Sequence, residues 1–170
     1  MFRGELGDKG NVVAEGMKPL AGDEITAAFS KRDRKVLKLP RNITEIEWEK
    51  ITYLSWLHPD GSKWFVVYNP LDELHGLVLE KMETTGSSAK QCSWCATTNA
   101  GDRIAQFVVR HALNRSITMG TYVCSSLDCD DYIRGRKFPS IATFSSYPTL
   151  EKRVKNLRDN LDNFFIRALF

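Results

Sequence analysis

The chain has 170 residues, of which 42% are hydrophobic and 26% are charged, and its formal net charge is +3. This composition is typical of a globular protein and excludes a fibrous or low-complexity chain. No apolar stretch has the length of ~20 residues that a membrane-spanning helix needs. We therefore expect a single folded domain with an ordinary hydrophobic core and no contact with a membrane.

The N-terminal segment Met1–Gly16 contains four glycines and no periodic pattern of apolar residues. We predict a disordered tail over residues 1–16 and a single domain over residues 17–170, with Met17 the more natural start. Arg3, Glu5 and Asp8 interrupt the tail, and it has no apolar run of the length found in signal peptides. These features favour a cytoplasmic protein.

The first predicted element is a short helix over Asp23–Phe29, with Asp23 as its N-cap. A basic cluster, Lys31–Lys35, follows directly. Its cations can contact phosphates, or they can complement the dipole of the solvated helix end. Both interpretations remain open.

The next stretch predicts a β-hairpin. The period of Ile43–Leu57 is ambiguous and fits a helical turn that leads into a strand. His58–Gly61 (HPDG) is a turn sequence. Lys63–Tyr68 and Gly76–Met82 are predicted strands that the loop Asn69–His75 connects.

The four cysteines of the chain form two close pairs, Cys92/Cys95 and Cys124/Cys129. The first pair follows a predicted polar loop, Thr84–Gln91. Two such pairs can supply four thiolates to a closed, tetrahedral structural Zn²⁺ site. Disulfide pairing and a redox role for the CxxC motif are the alternatives, and the zinc interpretation is the one that we favour.

The segments around these cysteines predict a treble clef. Asp102–His111 and Ile117–Val123 are rich in β-branched and aromatic residues and predict a hairpin. After Cys124, Ser125-Ser126 is predicted to cap a short helix that ends at Gly135. The start of that helix would supply the last ligand.

A basic and aromatic patch follows the predicted metal helix. Residues 103–170 carry 11 basic and 6 acidic side chains, which suits an acidic or polyanionic partner. The same cations would also suit a solvated helix C-terminus, so contact with a partner and stabilisation of a helix end both remain open. The predicted contact residues are Tyr132, Arg134, Arg136, Lys137 and Phe138, with Tyr122 as a supporting aromatic.

The chain closes with a long amphipathic helix. Phe138–Ser146 predicts a loop, and Thr149 is the predicted N-cap of a helix whose apolar residues recur at steps of three and four. Its apolar face can pack on the core or bind a partner. The predicted fold class is α+β, with antiparallel β-hairpins, a treble-clef Cys₄ zinc site and a long C-terminal helix.

The sequence gives no support for catalysis or for a small-molecule substrate. His58, His75 and His111 lie in turns or at element ends without a neighbouring nucleophile. The adjacent carboxylates of Asp72/Glu73 and Asp130/Asp131 would diverge rather than converge. We expect a protein that is not an enzyme, and an RNA-binding zinc module is the alternative to a protein-binding one.

The chain resembles the C-terminal treble-clef zinc domain of the elongation-factor-G-binding proteins, which are sometimes labelled fibronectin-binding and include the fusidic-acid-resistance proteins. The matching stretches cover about residues 17–170. They are MKPL at Met17–Leu20, VLKLPR at Val36–Arg41, CSWC at Cys92–Cys95, GTYVCSSLDCDDYIRGRK at Gly120–Lys137 and RDNLDNF at Arg158–Phe164.

This resemblance implies one structural zinc and a non-catalytic role in binding elongation factor G, including on the ribosome. Resistant bacteria use such proteins to release the factor from drug-stalled ribosomes. The resistance proteins carry an additional N-terminal helical bundle, and we expect none before Met17.

Overall fold

A computed structural model describes residues 16–83, 86–141 and 148–170. Most of the predicted tail Met1–Gly16 and residues 142–146 of the predicted loop Phe138–Ser146 lie outside this range, so the proposed boundary between tail and domain stays a prediction. Among the described residues, no helix is long and apolar enough to cross a membrane.

The described residues form an antiparallel α+β fold, which confirms the predicted fold class. A five-stranded sheet has the strand order β1-β2-β3-β6-β7, and β4 and β5 form a separate two-stranded ribbon. The strands are β1 Leu54–Leu57, β2 Trp64–Tyr68, β3 His75–Lys81, β4 Lys90–Gln91, β5 Thr98–Asn99, β6 Ile104–Arg110 and β7 Thr118–Cys124. The helices are α1 Gly22–Ala28, α2 Cys129–Ile133 and α3 Leu150–Leu169.

Both predicted hairpins are confirmed. Strand β2 pairs with β3, with Phe65 opposite Val78, and β6 pairs with β7, with Ile104 opposite Cys124. Strand β2 is almost entirely buried, and its unbroken apolar run is typical of a strand that is covered on both faces. The β6–β7 pairing brings Cys124 to one end of the sheet.

The two faces of the sheet are covered by different elements. One core cluster joins residues of β6, such as Phe107, to Leu157 and Phe165 of α3 and to three of the cysteines. A second cluster on the other face packs Ile25 and Phe29 against Phe65. The predicted amphipathic face of the last helix is therefore packed on the core, and Thr149 accepts the capping hydrogen bond from Lys152 N–H, as predicted.

Three local predictions were wrong. Helix α1 has Ala21 at its N-cap, so Asp23 lies in the first turn instead. The predicted loop before Cys92 ends in strand β4. Helix α2 begins only at Cys129, with Asp128 at the N-cap, so Ser125-Ser126 does not cap it. A turn in which Leu127 has a φ of 49° separates the two serines from the helix.

Candidate metal centre and the surface beside it

The first cysteine pair lies in the tight turn between β4 and β5. Cys92 N–H donates to Thr97 O (2.9 Å), and Ala96 N–H donates to Cys92 O (2.9 Å). Ala96 has a φ of 60°, which lets the chain reverse within this short span. Cys95 N–H donates to Cys92 Sγ (3.4 Å). A hydrogen bond of this kind stabilises the thiolate form of a cysteine.

The second cysteine pair spans the end of β7 and the start of α2. Leu127 N–H donates to Cys124 O (2.8 Å) and closes the turn between them. The buried Tyr53 fixes this turn from below, since its hydroxyl donates to Leu127 O (2.6 Å) and accepts from Cys129 N–H (3.2 Å). The ligands of the second pair are thus anchored to the core of the main sheet.

The four sulfur atoms converge on one point. All four Sγ atoms lie within 4.8 Å of one another. The distance from Cys92 Sγ to Cys129 Sγ is 3.6 Å, and that from Cys95 Sγ to Cys124 Sγ is 3.6 Å. Zn–S bonds of ~2.3 Å in a tetrahedron place the sulfurs about 3.8 Å apart, whereas a disulfide would need ~2.05 Å. The four cysteines are free, and their donor set and spacing fit a structural zinc ion.

A bound cation would change the protonation of these buried thiols. Desolvation raises the pKa of the fully buried Cys129 thiol well above its ordinary value, because burial disfavours the charged form. A bound divalent cation reverses this balance, and a coordinating thiol is deprotonated outright. Zinc held by Cys92, Cys95, Cys124 and Cys129 supplies that charge, and it joins the β4–β5 turn to β7 and α2.

Trp94, inside the CSWC motif, ties the first turn to the core. Its side chain is 1% exposed and lies edge-on to Tyr53, with 5.4 Å between the ring centroids. Its ring also contacts Phe164 of α3 (5.3 Å), and Asn160 Nδ2 donates to Trp94 O (2.9 Å). Neither Trp94 nor Tyr53 was among the predicted site residues. A large aromatic between two predicted ligands was the available signal.

A buried polar network supports helix α2. Asp130 is 6% exposed and accepts hydrogen bonds from Thr52 N–H (2.7 Å), Thr52 Oγ1 (2.7 Å) and Arg134 Nε (3.2 Å). Burial raises the pKa of the Asp130 carboxyl, while these donors act in the opposite direction. The network joins the helix to the segment before β1, 78 residues away in sequence.

The six predicted contact residues divide into two groups. Tyr132 is 5% exposed, and Arg134 lies inside, where it pairs with Asp130. Arg134 supports the helix, so we remove it from the predicted contact set, whereas the mostly buried Tyr132 also lines a cleft at this surface. The four that remain at the surface are Tyr122, Arg136, Lys137 and Phe138.

The surface group is held by hydrogen bonds and ion pairs. Arg136 pairs with Asp131 (2.7 Å), and Lys137 pairs with Asp128. The backbone N–H groups of Arg136 and Lys137 both donate to Asp131 O (2.8 and 2.9 Å). Phe138 comes next and is 78% exposed.

The three histidines lie apart from the metal centre. Each contacts a residue two or three positions away in its own turn: His58 contacts Asp60, His75 contacts Glu73, and His111 accepts from Leu113 N–H.

Comparison with known proteins identifies the family and the fold. The model of the FBP C-terminal treble-clef zinc-finger family matches residues 24–168. The chain is also similar to the solved structure of the fusidic acid resistance protein FusC, with a TM-score of 0.57 and 19% sequence identity. That alignment covers 91% of this chain and 60% of the other. At this identity the likeness concerns the fold. No curated protein matches the sequence.

Proposed function

The chain belongs to the FBP C-terminal treble-clef zinc-finger family, and from this premise we propose that it is a non-catalytic protein that binds elongation factor G. The resemblance of its CSWC and YIRGRK motifs to the elongation-factor-G-binding proteins supports this choice of partner. The proposal concerns binding alone. Resistance to fusidic acid belongs to the whole FusC protein, of which this chain spans 60%.

The observation that carries the proposal is the exposure of Phe138 on a loop that is fixed to the zinc-bound helix. Phe138 is 78% exposed, although burying its ring would be favourable. The ion pairs of Arg136 and Lys137 with α2 hold the preceding residues in place. A preorganised aromatic loses little conformational entropy on binding, and such residues are typical anchors of protein interfaces.

A cleft beside Phe138 gives this surface its shape. It has a volume of 370 Å³ and is lined by Arg103, Lys137 and Phe138 together with Ser125, Ser126, Asp128 and Tyr132. Arg103 Nη1 donates to Phe138 O (3.3 Å), so a cation forms one wall. The cleft suits a partner segment that pairs an acidic side chain with an apolar one.

The same contacts favour a protein partner over ribosomal RNA. RNA affinity depends on cations that are available to neutralise phosphates. Arg136 and Lys137 are already paired with acidic side chains. The RNA-binding alternative therefore has the weaker support.

The chemistry of the metal centre supports a non-catalytic role. Four thiolates fill the tetrahedral coordination of zinc and leave no position for a water or a substrate. Cysteines that bind zinc and do not form disulfides are also typical of a reducing compartment, which supports a cytoplasmic protein.

The test is a binding titration with purified elongation factor G. We expect Phe138→Ala to weaken binding about 30-fold, as loss of an interface anchor worth roughly 2 kcal/mol would do. We expect Lys137→Gln to weaken it less. The matched control is Phe170→Ala, which removes another ring that is 66% exposed.

Equal binding by the native chain and the Phe138→Ala variant would remove this surface from the proposal. No binding of the native, zinc-loaded chain would contradict the proposed partner itself. Capture of ribosomal RNA, with an affinity that falls steeply as salt is added, would favour the alternative.

A further inference from the structure

A second cleft lies far from the zinc centre. It has a volume of 460 Å³ and is bounded by the end of α1, the middle of β3 and the turn between β6 and β7. Thr118, which lines it, begins β7, whereas the zinc ligand Cys124 ends that strand. Six residues of strand separate the two by about 20 Å. The volume is in the range of pockets that hold small molecules.

Four basic side chains line this cleft. Among the described residues, none of the four forms an ion pair or a side-chain hydrogen bond. Two acidic residues, Asp33 and Glu80, also line the cleft, and Ser30 donates to the carboxylate of Asp33 (2.9 Å). The lining thus has an excess of two positive charges when His75, which also lines the cleft, is counted as neutral. The four cations are Arg32, Lys63, Arg110 and Arg115.

Arg115 is the cation whose surroundings point to a ligand. Its Nε atom is buried and has no hydrogen-bond partner among the described residues. A buried donor without an acceptor costs roughly 1–3 kcal/mol, and the majority of such groups in folded proteins are satisfied. The Nε atom is covered in this packing, so an acceptor oxygen on a molecule in the cleft would satisfy it only if the guanidinium of Arg115, which lines the cleft, turned toward that molecule.

The remaining walls supply an apolar surface and hydroxyl groups. Phe29, Val78 and Val108 are apolar, and Ser30 and Thr118 carry hydroxyls. A cleft lined by cations beside an apolar wall suits an anion that carries an organic group. Guanidinium groups bind phosphate in a bidentate manner. We propose that this cleft binds a small phosphate-bearing molecule, with Arg115 and Arg110 holding the phosphate.

The experiment is calorimetric titration of the zinc-loaded chain with inorganic pyrophosphate and with adenosine triphosphate. We expect the native chain to bind at least one of them and Arg115→Met to weaken that binding at least about tenfold, because a charge-assisted hydrogen bond is lost. The control Lys152→Met removes the same charge from an exposed position on α3 and should leave binding unchanged.

Two further measurements separate a binding role from a structural one. Arg115→Met should not lower the melting temperature, because it removes an unsatisfied buried donor and keeps an apolar stem. Glu80→Gln should tighten binding, because it removes a negative charge from the cleft.

The proposal is overturned if neither phosphate compound binds the native chain. It is also overturned if Arg115→Met binds as tightly as the native chain, or if Lys152→Met weakens binding equally, since net charge alone would then explain the affinity. If the chain binds a single-stranded oligonucleotide but neither of the two small compounds, the cleft binds a polymer, and this result would also overturn the proposal.

Discussion

At the scale of single residues, Asp130 shows how a carboxylate is kept inside the protein. Desolvation alone would make a buried charge costly, yet two groups of Thr52 and the guanidinium of Arg134 donate to its oxygens. Its neighbour Asp131 is also paired, with Arg136, but both of those side chains are partly exposed. The two adjacent aspartates are therefore a natural comparison of a buried pair with a surface pair.

We predict that Asp130→Ala lowers the free energy of unfolding by about 3 kcal/mol, because it removes the carboxylate that pairs with the buried guanidinium of Arg134. Asp131→Ala should cost roughly 0–1 kcal/mol, as expected of an exposed ion pair. Denaturant unfolding of the zinc-loaded variants measures both values. Equal costs for the two substitutions would show that the network around Asp130 does not stabilise the fold.

At the scale of elements, the packing of α1 on the sheet depends on the absence of a side chain at position 76. A Cβ atom built on Gly76 of β3 would lie 2.7 Å from three atoms of the Phe29 ring. That ring is 1% exposed and lies edge-on to Trp56 and Phe65, so it has little room to move. Gly76 thus sets how closely the end of α1 approaches the sheet.

We predict that Gly76→Ala destabilises the protein by about 1–3 kcal/mol, the usual cost of overpacking a core. Gly120→Ala on β7 is the control. Its nearest neighbour is the flexible end of the Gln106 side chain at 3.2 Å, and we expect a change within about 0.5 kcal/mol. Thermal unfolding of the two variants tests the difference. A Gly76→Ala variant as stable as the native chain would mean that α1 can shift without cost.

The elements that sequence reasoning predicted are those whose pattern is local. Helix α3 has a clear period, the strands of both hairpins are rich in apolar and β-branched residues, and the two cysteine pairs carry their own chemistry. The late start of α2 was missed because a left-handed Leu127 has no sequence signal. The burial of Arg134 was missed because it depends on Thr52 and Asp130, which meet across 78 residues of sequence. That of Tyr132 was missed because it depends on the main core cluster, which long-range contacts assemble.

At the scale of the whole molecule, the metal centre is continuous with the main core. Cys92, Cys124 and Cys129 belong to the same buried cluster as Phe107 of β6 and Phe165 of α3. The zinc ion therefore joins the β4–β5 turn to the sheet, and it does so at the end of β7 where the surface around Phe138 begins. Stability and the proposed binding surface both depend on the same four sulfurs.

We predict that a strong chelator removes stoichiometric zinc and lowers the melting temperature of the whole domain, because metal binding contributes directly to folding free energy. Acidification should release zinc as well, since the thiolates must be deprotonated to bind it. Elemental analysis and thermal unfolding, before and after chelation, measure the effect, and restoring zinc should restore the transition. A chain that contains no zinc, or one whose melting is unchanged by chelation, would contradict a structural metal. The Phe138 surface would then lack the support that makes it a preorganised binding site, so chelation should also weaken capture of elongation factor G.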